Sequence, residues 1–98
     1  MIESFRDIWL KNFFENDIKH KKIPASIRVS LFRKLQIIDD ATCNLDLRSP
    51  PGNHFEKLGG VLKGKHSIRV NRQWRLVFMW NETMGKARAI YLDNYDYR

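Results

Sequence analysis

Residues 65–80, reading KHSIRVNRQWRLVFMW, contain two alternating runs that meet at a turn. In the first, His66, Ile68 and Val70 point one way, and Ser67, Arg69 and Asn71 the other. In the second, Trp74, Leu76, Phe78 and Trp80 share a side opposite Arg75, Val77 and Met79. Side chains alternate across a strand, so a period of two places the large apolar groups on one face of a hairpin. The opposite face then starts with a guanidinium on each strand, Arg69 and Arg75. A small sheet with apolar backing and a cationic open side is suited to a polyanion.

The elements around the hairpin follow from the same pattern reading. Residues 1–5 read as a short strand anchored by Ile2 and Phe5. Arg6 to about Asn16 suits an amphipathic helix whose apolar positions are Ile8, Trp9 and Phe13, with Leu10 and Phe14 as further candidates, and Asp7 lies near the positive N-terminus. Lys19–Pro24 is a basic connector. Ala25–Ser26 opens a second helix in which Ile27, Leu31, Leu35 and Ile38 fall on one stripe. Leu45–Asn53 reads as loop, because Pro50, Pro51 and Gly52 disfavour helix and central strand. His54–Leu58 reads as a strand, Gly59, Gly60 and Gly64 as a flexible turn, and Lys86–Leu92 as a final strand. The expected fold is α+β, with two N-terminal helices packed on one face of a small, mostly antiparallel sheet.

With 98 residues the chain is expected to form a single domain spanning 1–98, large enough to bury a core without staples. Eighteen Lys and Arg against eleven Asp and Glu give a net charge of +7, which favours an acidic partner such as nucleic acid. Residues 54–75 hold six Lys or Arg against one Glu, and residues 19–34 another six with no acid. The single cysteine, Cys43, excludes an internal disulfide, and no zinc-ligand spacing is present. No signal peptide or membrane span is visible, so the expected location is the cytoplasm.

Several stretches together resemble a known family. Arg-Ser-Pro-Pro-Gly-Asn at 48–53, Lys-His-Ser-Ile-Arg-Val-Asn at 65–71 and Gln-Trp-Arg-Leu-Val-Phe at 73–78 resemble the host-inhibition-of-growth (HigB) toxins of the RelE/ParE superfamily. The opening Met-Ile-Glu-Ser-Phe-Arg and an ending in Asp-Tyr plus a basic residue match as well. The resemblance runs in order along nearly the whole chain. It implies a bacterial toxin of a type II toxin–antitoxin pair, which cuts mRNA in the ribosomal A site without metal or other cofactor. It also implies a helix-turn-helix (HigA-like) antitoxin as partner, alongside the ribosome and its message.

In such cleavage a ribose 2′-OH attacks the adjacent phosphate. Negative charge grows on the phosphoryl oxygens, and proton acceptors and donors are needed at the 2′ and 5′ oxygens. Arg75 is the first candidate: it matches the family's Trp-Arg motif, and its guanidinium can bind two oxygens at once. An exposed arginine merely paired with a carboxylate would give the same alternation. The resemblance places Asp96, Tyr97 and Arg98 on the family's terminal Asp-Tyr-His, with arginine where the histidine would be. Arginine stabilises charge but exchanges no proton near neutral pH. A second register, setting Asp93-Asn94-Tyr95 on the motif, stays open. Tyr91, Tyr95 and Tyr97 alternate on one side of the last strand, where one of them could stack on a base.

The candidate RNA contacts are His54, Lys57, Lys63, Lys65, His66, Arg69 and Arg72; such cations fix phosphate register and carry no base specificity. His66, apolar-side by alternation, is also read as a packed, hydrogen-bonded residue. Two other readings stand beside this one: a ParE-like toxin acting on DNA gyrase, and a non-catalytic nucleic-acid-binding module or inactive toxin homologue.

Overall fold

The computed structural model of the protein describes residues 1–95. Three helices precede four strands: α1 (Ile8–Asn16), α2 (Arg28–Asp40), α3 (Asn44–Arg48), β1 (Glu56–Lys57), β2 (His66–Arg69), β3 (Trp74–Asn81) and β4 (Lys86–Asn94). The strands form one sheet in the order β1-β2-β3-β4, and every neighbouring pair is antiparallel. This is the α+β arrangement expected from the sequence.

The stripe read on the second helix is the core. Ile27, Leu31, Leu35 and Ile38 are all buried, beneath Ile68, Leu76 and Phe78 of the hairpin. From α1 only Leu10 and Phe13 are fully inside; Trp9 and Phe14 lean on the core, and Ile8 is 65 % exposed rather than inward. Ile8 stands two residues before Leu10, about 200° around the helix from it, and so points away from the core. Asp7 is the N-cap, but its carboxylate bonds Arg6 instead of the first turn's free N–H groups. The helix ends in the left-handed Asp17, with Asp17 N–H donating to Phe13 O and Ile18 N–H to Asn12 O.

Several elements differ from the sequence expectation. Residues 45–48, expected as loop, are helical and belong to α3. Asp46 in the first turn of α3 accepts hydrogen bonds from the backbone N–H and hydroxyl of Thr42, at 2.9 and 3.1 Å. Those bonds hold its carboxyl below the usual range. This back-reaching first-turn carboxylate is a capping device, and the prolines at 50 and 51 act only after the helix has ended. The second helix begins with a 3-10 turn at Ala25–Ile27, and α2 proper starts at Arg28. The strand expected over 54–58 shrinks to Glu56–Lys57, because His54 is left-handed at φ 45° and cannot extend the ladder.

The opening residues contribute isolated parallel bridges, Ile2 to Ala87 and Phe5 to Ile90, rather than a regular strand. The cause is a bulge in β4. Val77 faces Tyr91 while Met79 faces Arg88, so β4 carries one extra residue, and the bulge holds a left-handed alanine, Ala89, at φ 54°. The N–H of Ala89 donates to Ser4 Oγ at 2.9 Å. The bulge also explains why Ala87 and Ile90, three apart, both reach the core. The N-terminal segment thereby covers the outer edge of β4.

Candidate active site

The β2–β3–β4 face turned away from the helices is lined by alternate residues in register. Arg69 faces Arg75, Ser67 faces Val77, Arg75 faces Asp93 and Val77 faces Tyr91. Val77 is completely buried, yet neither it nor Tyr91 belongs to the main core. They form the floor of a second, polar surface. Trp74, Leu76 and Phe78 pack against the helical core, which anchors β3 and aims Arg75 the other way.

Arg75 is only 8 % exposed. Its Nε donates to Asp93 Oδ2 at 2.8 Å, and its guanidinium carbon lies 4.0 Å from the centre of the Tyr95 ring. The ring and the carboxylate hold the planar group on two sides. Among the described residues neither Nη makes a hydrogen bond or ion pair. The two nitrogens suited to a phosphate's paired oxygens are therefore uncommitted.

Tyr91 carries a second pair of cations. The guanidinium carbon of Arg6 lies 3.8 Å from its ring centre and Lys65 Nζ 5.3 Å from it. Burial, then the nearby Asp93, push the Tyr91 phenol above its ordinary value, so it remains protonated at neutral pH. It can give a hydrogen bond here but cannot act as a base. Arg6 was not among the residues read from the sequence. It lies in the segment before α1, and its contact depends on that segment crossing to β4, which no local pattern announces.

The structure separates the remaining candidates. Lys65, Arg69 and Arg75 share the polar face with Tyr91, Asp93 and Tyr95. Lys57 and His66 face each other across β1–β2 but, by alternation, sit on the helical side of the sheet. There His66 stacks on Phe55, ring centres 5.2 Å apart and planes at 11°. Lys63 and Arg72 are exposed in the turns before β2 and between β2 and β3; His54 is exposed ahead of β1. Asp96, Tyr97 and Arg98 lie outside the described residues. Among those described, no group of three or more His, Cys, Asp or Glu side chains is placed to hold a metal ion.

A family model for the RelE-like HigB toxin of type II toxin–antitoxin systems matches residues 3–95. The chain is 53% identical to Toxin HigB-1 of Vibrio cholerae over 97 residues, which cover 99% of this chain and 100% of that protein. It is 39% identical to an uncharacterized protein of Haemophilus influenzae over 95 residues, covering 97% and 92% of the two. No helix in the described residues is long and apolar enough to cross a membrane. The sheet, the helices on its one side and the match along nearly the full chain agree: this protein belongs to the HigB family of RelE-like toxins of type II toxin–antitoxin systems.

Proposed function

We propose that this toxin is a ribosome-dependent, metal-independent mRNA endonuclease that works in the cytoplasm and is restrained by a helix-turn-helix antitoxin. The observation that carries the reading is Arg75. Its guanidinium is gripped by Asp93 and Tyr95 on a cationic sheet face, and its Nη groups have no partner among the described residues. A fixed, pre-oriented cation of this kind stabilises the charge that grows on phosphoryl oxygens in the transition state, with little reorganisation.

In the proposed reaction the 2′-oxygen loses its proton and bonds to phosphorus. The bond to the 5′-oxygen breaks, and that oxygen takes up a proton, leaving a cyclic phosphate and a free 5′-hydroxyl. Arg75 binds the non-bridging oxygens. Arg6, Lys65 and Arg69 hold neighbouring phosphates in register. The proton transfers fall to the tail, where Asp96 and Tyr97 are the proposed participants. Arg98 can add positive charge but not a proton. Protonated Tyr91 is a hydrogen-bond donor to the bound strand. The basic stretch 19–34 supplies a second contact zone for ribosomal RNA.

Primer-extension mapping of transcript ends after pulse expression tests the proposal. The wild type should produce new 5′ ends within translated codons, and Arg75→Ala should reduce them about 10²- to 10³-fold. Intact transcripts accompanied by a loss of DNA supercoiling would identify a gyrase-directed toxin instead.

A further inference from the structure

The helical side of the sheet holds a cavity of about 310 Å³ that the cleavage reaction does not use. Its wall includes the stacked pair Phe55–His66 and the indole of Trp80. His66 belongs to the same strand as Arg69 but to the opposite side, so this cavity and the Arg75 face are separate surfaces of one hairpin.

The polar groups of the cavity are organised. Trp80 Nε1 donates to Asn44 Oδ1 at 2.6 Å, and Asn44 Nδ2 donates to Glu82 Oε2, also at 2.6 Å. This chain fixes the Glu82 carboxylate while leaving its other oxygen without a hydrogen bond among the described residues. Buried His66 Nδ1 likewise lacks a hydrogen-bond partner there. An unsatisfied buried ring nitrogen costs free energy and marks a place for a ligand atom. Burial, then the charge of Lys57, keep the His66 ring neutral, so it retains both an acceptor and a donor nitrogen. Two exposed cations also line the space: Lys57, and Arg48, whose guanidinium lies 5.7 Å from the Phe55 ring centre.

We propose that this cavity is a binding slot for one unpaired guanine nucleotide. Flat aromatic walls suit a base, since unpaired bases are held by stacking and read on their exposed edges. A fixed carboxylate suits guanine, whose Watson–Crick edge presents two adjacent N–H donors. Adenine presents an acceptor at the first of those positions. Arg48 and Lys57 are placed for the phosphate. The volume lies at the lower end of ordinary small-ligand pockets, consistent with one nucleotide and no more. The nucleotide can come from a free pool or from an RNA strand, and the slot does not depend on the nuclease reading.

The test is a titration of the full chain followed by NMR, reading the Trp80 indole N–H (assigned by its absence in Trp80→Phe) and the His66 ring signals. The probes are 5′-GMP, 5′-AMP, ribose 5-phosphate and a single-stranded pentanucleotide with one central guanine. GMP should shift both signals, with AMP at least about fivefold weaker and ribose 5-phosphate without effect. Glu82→Gln should weaken GMP about tenfold, because an amide cannot accept from two N–H groups through both positions. Tighter binding of the pentanucleotide than of GMP assigns the slot to RNA, and equal or weaker binding assigns it to free nucleotide. No shift at about 10 mM GMP, an equal shift with ribose 5-phosphate, or a GMP response unaltered in Glu82→Gln overturns the proposal.

Discussion

Arg75 and Asp93 are direct partners across the β3–β4 ladder, and the 2.8 Å bond between Nε and Oδ2 ties the strand arginine to the last strand. The pair sits on the sheet face away from the helices, with Tyr91 before Asp93 in β4 and Tyr95 just past the end of that strand. Asp93 does more than neutralise Arg75. It takes the Nε edge, which leaves the two Nη groups uncommitted, and Tyr95 covers one flat side.

On the proposed nuclease reading, this geometry makes Asp93 a positioning residue. Asp93→Asn keeps an acceptor oxygen but loses the charge, and should lower cleavage about tenfold. Asp93→Ala, which frees the guanidinium to swing, should cost on the order of 10²-fold, since misplacement near 1 Å is that expensive. Stability should change by about 1 kcal/mol or less, because the Asp93 side chain is 32% exposed. Cleavage assays in a translating extract, set beside thermal melts, separate the two effects. Full activity in Asp93→Ala would show that Arg75 needs no such hold.

The hairpin was legible from sequence because its alternation is unbroken: Trp74, Leu76 and Phe78 face the core, and Arg69 and Arg75 meet on the other side as the pattern required. Helix α2 was legible for the same reason, through Ile27, Leu31, Leu35 and Ile38. Helix α3 was hidden because five residues are too few to show a period, and its stability rests on the Thr42–Asp46 cap. The bulge at Ala89 was hidden because it changes the phase of β4 without any glycine to mark it. Of the site, Arg75 could be read from alternation and the Trp-Arg motif. Arg6 could not, because only the tertiary path of residues 1–6 along β4 brings it over Tyr91. The separation of Lys57 and His66 from the Arg75 face was implicit in the alternation of β2, and charge counting along the segment obscured it.

Asn53 pins the segment between α3 and β1. It is fully buried, accepts from Lys34 Nζ, and donates through Nδ2 to Leu47 O and Ser49 O, each at 3.1 Å. Burial, then the nearby Arg33, lower the Lys34 pKa. Asn53→Ala would strand the amine and two carbonyls, at a cost of about 1–3 kcal/mol. The melting temperature should fall by roughly 4–8 °C per kcal/mol in a domain of this size. Asn53→Asp supplies acceptors but no donors, so it should rescue the Lys34 contact while leaving the carbonyls unsatisfied. Differential scanning calorimetry should rank the three proteins in the order wild type, Asp, Ala.

His66 gives the fold a pH dependence whose sign is set by its lowered pKa. As pH falls through the ordinary histidine value near 6.5, the unfolded chain takes up a proton that the folded ring still refuses. Stability should therefore decline below about pH 6.5 and level off once the folded pKa is passed. The slope from this one group is at most about 1.4 kcal/mol per pH unit, and less because the ring is partly solvated. His66→Gln should flatten that part of the profile in urea titrations between pH 7 and 5, conditions chosen to bracket the histidine range. An identical slope in the variant would assign the effect elsewhere.

Gly85, in the turn from β3 to β4, sets the contact between that turn and the end of α2. Its φ is +66°, and a Cβ there would lie 2.7 Å from Thr42 O and 2.8 Å from Thr42 Cα. Both obstacles are backbone, so no rotamer change can relieve them. The left-handed conformation alone costs an alanine about 1–2 kcal/mol. The collision adds to this by pushing the turn away from Thr42, whose N–H and hydroxyl hold Asp46 at the start of α3. Gly85→Ala should thus lose more than about 2 kcal/mol and also weaken protection of the α3 amides in hydrogen exchange. Gly52 is the matched control, with nothing within 4 Å of its Cβ position and no positive φ. Gly52→Ala should stay within about 0.5 kcal/mol of wild type. Equal melting temperatures for the two variants would mean that the turn yields freely, and that Gly85 is not what locks β4 against the α2–α3 corner.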